Sequence, residues 1–222
     1  MSVQHLSEST EMYLKAMAEI NDREVVTIGR LAERLNVTPV SANEMVRRLN
    51  EQGLVSHTPY KGVALTEKGH EVASNVVRRQ RLWECFLHDH LRIEWAQVYE
   101  LACSLEHATA PEVADALAAF LGEPETCPHG NPICGADGSF TPLEGVSLDT
   151  VIPGETIRIV AINATSTDVL KYLQERDLMP GCELTIVDAE PMQGPLTLRV
   201  GRKKVALGLS LAEFVLVKPI HL

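Results

Sequence analysis

Residues 10–65 run through three short helical patterns and then two short strand patterns, an order that few folds accept. In TEMYLKAMAEI (10–20), Met12, Leu14, Ala16, Met17 and Ile20 fall close to helical spacing, and Asn21-Asp22 ends the segment. Thr27 has the N-cap position of a second helix, IGRLAERLN, whose Ile28, Leu31, Ala32 and Leu35 share a face. After a break at Val37-Thr38-Pro39, VSANEMVRRLNEQ predicts a third helix buried through Val40, Met45, Val46 and Leu49, with Gly53 as its C′ residue. LVSHTPYKGVALT then reads as two strands around a turn at 59–62. Three helices followed by a small hairpin is the order of a winged helix-turn-helix.

The remaining chain changes texture twice. Glu67 to about His90 and Ile93 to Thr109 are helical in pattern, and Pro111 suits the first turn of PEVADALAAFL. That short helix has more apolar surface than one small domain needs, which makes it the candidate dimer surface. From Gly122 to Gly154, eleven of the 33 residues are Gly or Pro, the composition of a linker with some local order. TIRIVAI, ELTIVDA, LTLRV, KVALG and EFVLV follow as short strands, interrupted by a helix near Asp168–Arg176. This pattern suits a small SH3-like barrel. The expected fold is therefore mainly α with small β parts: a winged helix-turn-helix over 1–72, a helical segment with linker over 73–140, and an SH3-like β-barrel over 150–222.

Composition narrows the function. The net charge of −10 disfavours a general nucleic-acid binder, because phosphate neutralisation needs local positive charge. Its distribution matters more: residues 1–72 carry 8 basic and 10 acidic side chains, whereas 73–140 carry 4 and 10. An acidic middle suits cations, and the nearly balanced first third can still present a basic face. No apolar run approaches the roughly 20 residues that span a bilayer, and MSVQHLSESTEMYL has neither a basic start nor an apolar core. Five scattered cysteines are no disulfide framework. A reducing cytoplasm and no membrane partner are expected.

Cys103-Ser104-Leu105-Glu106-His107 is the strongest local constellation. On a helix these donors at i, i+3 and i+4 share a face, so a thiolate, a carboxylate and an imidazole converge in a mixture suited to Fe(II), Mn(II), Co(II), Ni(II) or Zn(II). The competing structural reading is a core cysteine beside a solvated Glu–His pair. Met12 offers a thioether as a fourth ligand, against plain core packing. Gln80 and Glu84, at i and i+4 on the preceding helix, either face the same cavity or form a surface pair. At the start of the third helix Thr38, Val40, Ser41, Asn43 and Glu44 lie where a helix-turn-helix meets base edges. Asn43 could read adenine and Val40 could touch a thymine methyl, while Arg47, Arg48 and Lys61 could meet phosphates; each is otherwise an ordinary exposed residue. Cys127-Pro-His129-Gly-Asn-Pro-Ile-Cys134 has three donors, no CxxC and turn-fixing prolines, and reads as a structural turn. There is no HExxH, GxSxG or phosphate-cradling glycine loop, so no enzyme is expected.

Taken together, STEMYL (9–14), IGRLAERLNVTPVSANEMVRRLNEQGLV (28–55), LTEKGHEVA (65–73), CSLEH (103–107) and CPHGNPI (127–133) resemble the diphtheria-toxin-repressor family of metal-dependent regulators. The resemblance covers nearly the whole chain, including a C-terminal segment similar to the family's SH3-like, FeoA-type domain. It implies a homodimer that binds double-stranded operator DNA and represses metal-uptake genes when Fe(II) or Mn(II) is plentiful, with 73–140 as the metal-binding and dimerisation domain. The family's main activating site falls on Met12, Cys103, Glu106 and His107. Its other site is mostly missing: one histidine falls on Gln80, the glutamate on Glu84, the second histidine on Tyr99, and the C-terminal ligands near Ser166 and Val169. A second metal would be held differently, with Glu84 its best retained ligand and Gln80 a further candidate. The sulfur pair Met12 and Cys103 tilts the metal toward Fe(II). The rival reading is a metal-independent winged-helix regulator that senses oxidation through Cys103.

Overall fold

The computed structural model describes residues 6–20, 25–58, 62–136, 138–139 and 143–220. The chain divides into two compact units, residues 1–79 with 134–139, and residues 80–133 with 140–222.

In the first unit, α1 (Glu8–Ile20), α2 (Ile28–Leu35) and α3 (Pro39–Glu51) precede the antiparallel hairpin of β1 (Val55–Thr58) and β2 (Gly62–Leu65). Local chemistry sets these boundaries. The Thr27 hydroxyl accepts from the Arg30 amide and caps α2, whose far end stops at Asn36 in the left-handed region. Thr38 caps α3 by accepting from the Ser41 amide, and Pro39 takes the first helical position, where its missing N–H costs nothing. Gly53 adopts φ +70° just beyond α3, as expected for C′. Leu14, Met17, Leu31, Ala42, Val46, Leu49 and Val63 form a common core. Val40 does not join it. It is 70 % exposed, and Ala42 takes the buried place, because the inward face of α3 runs through 42, 46 and 49.

α4 (Glu67–Cys85) is longer than either unit's share of it, and the division falls between Arg79 and Gln80. Its first part belongs with α1, to which the Arg79 guanidinium is tied by Glu11 at 2.7 Å. At Phe86–His90 the helix widens into a π-helical turn, and the chain then reverses. Arg92 takes a left-handed φ of 58°, and the Ile93 amide donates back to the Leu87 carbonyl. This is why α5 begins at Val98 (Val98–Glu106) and not at Ile93, where the sequence pattern placed it. α6 (Pro111–Leu121) follows, with Pro111 in its first turn.

The rest of the second unit is a six-stranded antiparallel sheet: β3 (Val146–Ser147), β4 (Thr156–Ile162), β5 (Glu183–Ala189), β6 (Leu196–Val200), β7 (Lys203–Leu207) and β8 (Val215–Pro219), in the order β3-β8-β4-β5-β6-β7. α7 (Thr167–Gln174) connects β4 to β5, and α8 (Leu209–Ala212) connects β7 to β8. Alternation along β4 and β5 puts Ile157, Ile159, Leu184 and Ile186 inside. Trp95 and Ala96, from the segment before α5, share that core. Among the described residues no helix is long and apolar enough to cross a membrane.

Because Thr27 supplies the side-chain cap of α2, Thr27→Ala should destabilise the protein by about 1 kcal/mol, the usual cost of losing a cap. Urea unfolding followed by circular dichroism checks this through a lowered midpoint at unchanged slope.

Candidate metal centre and nucleic-acid interface

α3 has two faces of opposite character. Ala42, Val46 and Leu49 are buried, whereas Thr38, Val40, Ser41, Asn43, Glu44, Arg47 and Arg48 are all exposed. An apolar Val40 left in water at the helix start, beside an exposed amide and hydroxyl, suits a surface that meets base edges and a thymine methyl. Arg47 and Arg48 supply positive charge one turn further on. In the hairpin the His57 amide is held by Asn50 Oδ1 at 3.0 Å, which fixes β1 against the end of α3. Lys61 lies outside the described residues.

The donors of the first expected site are placed as follows. Met12, on α1 in the first unit, is 43 % exposed, although it is a large apolar side chain. In the second unit Cys103 and Glu106 lie on α5, and His107 continues the helical backbone at its C-cap with φ −74° and ψ −28°. Their i, i+3, i+4 spacing is thus realised on a single helix end. Cys103 is half-buried, Glu106 is 1 % exposed, and His107 Nε2 stands 3.3 Å from Glu106 Oε1. A carboxylate withdrawn this far from water needs a partner, and a neighbouring imidazole supplies one.

A second cluster, Glu84, Cys127 and His129, lies entirely within the second unit. Their donor atoms are all within 4.8 Å of one another, and all three residues are buried. Glu84 is on α4, one turn after Gln80, whose Nε2 donates to Glu84 Oε1 at 2.8 Å. Both are 2 % exposed, so the pair is interior and not a surface pair. His129 Nδ1 faces Glu84 Oε2 at 3.0 Å, while its Nε2 lies 3.1 Å from the Trp95 carbonyl. A carbonyl only accepts, so Nε2 carries hydrogen and Nδ1 is the ring atom that faces the cluster. Donation of the distal N–H to a backbone carbonyl is the arrangement that orients metal-binding imidazoles. Trp95 does more: its indole N–H donates to the Pro128 carbonyl at 2.8 Å, and its ring lies against the imidazole with centroids 4.6 Å apart.

The Cys127–Asn131 turn is closed by the Cys127 amide on the Asn131 carbonyl at 2.9 Å and fastened to β4. The Ile162 amide donates to the His129 carbonyl at 2.8 Å, and Asn131 Nδ2 donates to the Ile162 carbonyl at 3.0 Å. Gly130, at φ +83°, passes so close that a Cβ there would stand 2.1 Å from the Val160 carbonyl oxygen. Only glycine fits. The turn that carries two of the donors is therefore held by the sheet.

The electrostatics of the cluster follow from burial and pairing. Burial opposes ionisation of Glu84, but the hydrogen bond and charge of His129, the Cys127 hydrogen bond and the charge of Arg81 outweigh it, so its carboxyl titrates below the ordinary range. Burial, and then the Glu84 charge, push the Cys127 thiol well above its usual value. Without a cation the thiol thus keeps its proton. Carboxylate, sulfur and imidazole together make a hard, soft and borderline donor set that fits a divalent transition metal, and the residues present fit such an ion.

The segment 127–134, which its prolines and spacing mark as a structural turn, is a turn that also delivers two donors to Glu84. The available signal was the Cys-x-His spacing; what it lacked was the third donor, which lies on α4, 45 positions before His129. Tyr99 and Val169 pack against the core of the sheet, and Ser166 precedes α7 without capping it through its side chain.

Three family models match consecutive parts of the chain: the iron-dependent repressor N-terminal DNA-binding domain at 5–63, the iron-dependent repressor metal-binding and dimerisation domain at 66–135, and the FeoA domain at 146–219. The diphtheria toxin repressor of Corynebacterium diphtheriae is 31% identical, over 96% of this chain and 98% of its own length. The iron-dependent repressor IdeR of Mycobacterium leprae is 28% identical, over 97% and 99%. Among solved structures, a manganese-dependent transcriptional repressor in complex with manganese superposes with a TM-score of 0.88 at 30% identity, covering 95% of this chain and all of that one. ScaR with bound Cd2+ superposes at 0.85 with 25% identity, over 95% and 99%.

Burial pushes the Cys85 thiol up to about 12, with the Glu84 and Asp89 charges adding to it. A raised folded-state value means that this contribution to stability is complete below about pH 9 and is lost as pH rises toward 12. Unfolding midpoints of the metal-free protein measured from pH 8 to 11 should fall, and Cys85→Ala should flatten the decline. An equally steep decline in the variant would contradict the assignment.

Proposed function

This chain belongs to the iron-dependent repressor family, and from that premise we propose how its residues divide the work. It is a metal-dependent transcriptional repressor, not an enzyme. It binds operator DNA as a homodimer and is activated by Fe(II) or Mn(II). The observation that carries this reading is the coexistence of an exposed reading face on α3 with a buried, ready-made donor set on the same chain.

Thr38, Val40, Ser41, Asn43 and Glu44 meet the bases, while Arg47, Arg48 and Lys61 meet phosphates; the exposure of all those described supports the assignment. Met12, Cys103, Glu106 and His107 form the activating set named by the family resemblance, supported by the clustering of the last three at the end of α5. A second ion is held by Glu84, Cys127 and His129, with Gln80 holding the Glu84 carboxylate in place through its amide. When bound, the metal supplies a coordinate cross-link between donors far apart in sequence, so binding energy accrues to the arrangement that assembles them. The two sulfur donors favour Fe(II) over Mn(II) at the first set. The dimer surface is the apolar side of α6, where Val113 and Phe120 are 47 % and 62 % exposed. A chain whose partner is operator DNA works in the cytoplasm. Sensing of oxidants by Cys103 without metal is set aside by membership of a metal-dependent family.

Duplexes selected from a random pool by the metal-loaded protein provide the test, with affinity read by fluorescence anisotropy under anaerobic conditions. Chelation should weaken binding by roughly 5- to 150-fold, the range of ordinary allosteric coupling. Cys103→Ser and Glu106→Gln should bind as weakly with metal as the chelated wild type, at unchanged far-UV circular dichroism. Full operator affinity in these variants would sink the assigned set. Equal wild-type affinity with and without metal would sink the function itself.

Cys127→Ser and His129→Gln should each lower the metal bound per chain by about one equivalent, as measured by elemental analysis after gel filtration. Unchanged stoichiometry in both would remove the second ion.

A further inference from the structure

The outward face of the six-stranded sheet carries a charge pattern that the fold does not need. Arg199, Arg202, Lys203 and Lys204 fall within six positions, in a chain of net charge −10 with 20 Lys and Arg in all. All four are exposed, on the β6–β7 hairpin at the edge of the sheet. Lys203 is neutralised by Asp177 at 2.6 Å. The others have no acidic partner among the described residues. Arg199 stands directly opposite Lys204, a like-charge cross-strand pair that costs stability.

The row begun by Lys204 and Arg199 continues through Thr185 on β5 to Thr156 on β4, whose hydroxyl oxygens lie 3.2 Å apart. In the next row Lys218 stands opposite Arg158, which is paired with Glu183 at 2.5 Å. Asp188 and Glu183 are the exposed acids of β5. Cations thus outnumber acids on a surface where the rest of the chain would predict the reverse. The four-strand row spans about 14 Å, three inter-strand spacings. It ends in a guanidinium and an ammonium and includes two hydroxyls, the donors that meet phosphate oxygens.

We propose that this sheet face grips the sugar–phosphate backbone of the duplex DNA that the repressor binds. The inference rests on the repressor reading above, because a chain already held on a duplex makes a weak second contact at high effective concentration. The contact is independent of base sequence. It shows itself in the salt dependence of binding, since each phosphate neutralised steepens the plot of log affinity against log salt by about 0.9.

The test uses the full-length, metal-loaded protein and the double variant Arg199→Gln/Lys204→Gln. Affinity is measured across a salt series, on a selected duplex with long flanks and on the same duplex trimmed to the base sequence that the selected duplexes share. On the long duplex the variant should show a slope flatter by about 0.9 for each phosphate it no longer neutralises; on the trimmed duplex it should match the wild type. Its melting temperature should equal or exceed the wild-type value, because a like-charge pair has been relieved. Should the double variant fail to fold, Arg202→Gln, at the exposed tip of the hairpin, carries the same test. Equal slopes on the long duplex, with intact wild-type binding, overturn this inference alone. Loss of binding to phosphatidylglycerol vesicles with unchanged DNA slopes also overturns it, in favour of a lipid headgroup as the phosphate source. A wild type that holds no duplex under metal overturns the repressor reading and this inference with it.

Discussion

A carboxylate that has left water must be met by partners wherever the chain can bring them, and Glu84 imposes that demand on the second unit. At 2 % exposure its charge would cost several kcal/mol if left alone. The structure answers with the Gln80 amide from the same helix and the His129 imidazole from a turn 45 positions later. Each answer creates a further requirement. His129 needs its other nitrogen satisfied, which the Trp95 carbonyl does, and the Trp95 indole then secures the Pro128 carbonyl. The turn in its place needs a residue without a side chain where it crosses Val160, and Gly130 provides it. One buried charge thus links α4, the segment before α5 and strand β4. The same linkage leaves sulfur, nitrogen and oxygen donors side by side. A single polar cluster thus stabilises the second unit and offers a donor set that fits a divalent metal.

The proposed nucleic-acid face of α3 follows a simpler rule. A 13-residue helix with buried Ala42, Val46 and Leu49 has to present its remaining positions to solvent. Thr38 and Pro39 start that helix at a defined residue, so the positions that reach outward are fixed by the cap as much as by the core. The adjacent hairpin is held through Asn50 and His57. What the face reads is then a matter of which side chains occupy those outward positions, and Val40, Ser41 and Asn43 are of the types that distinguish base edges in the major groove.

Much of this is legible in the sequence because it rests on short-range rules. Thr27, Pro111 and Gly53 announce helix ends through capping chemistry, and five strand segments can be read from alternation alone. The departures have local causes as well. Apolarity assigns Val40 to the core, while the helical period prefers Ala42. The helix expected to run to His90 opens into a π-helical turn, and Arg92 reverses the chain in a left-handed conformation that no residue type announces. The Glu84–Cys127–His129 cluster is not legible. Its members lie on a helix and a proline-flanked turn, and proximity across 45 residues is a property of packing that spacing does not encode.

In a metal-dependent repressor, metal and operator DNA are coupled ligands, and coupling is reciprocal. The affinity of the protein for Fe(II) or Mn(II) is to be measured twice, free and saturated with selected operator duplex. DNA should tighten metal binding by the same factor by which metal tightens DNA binding. Identical metal affinity in the two states would contradict this coupling.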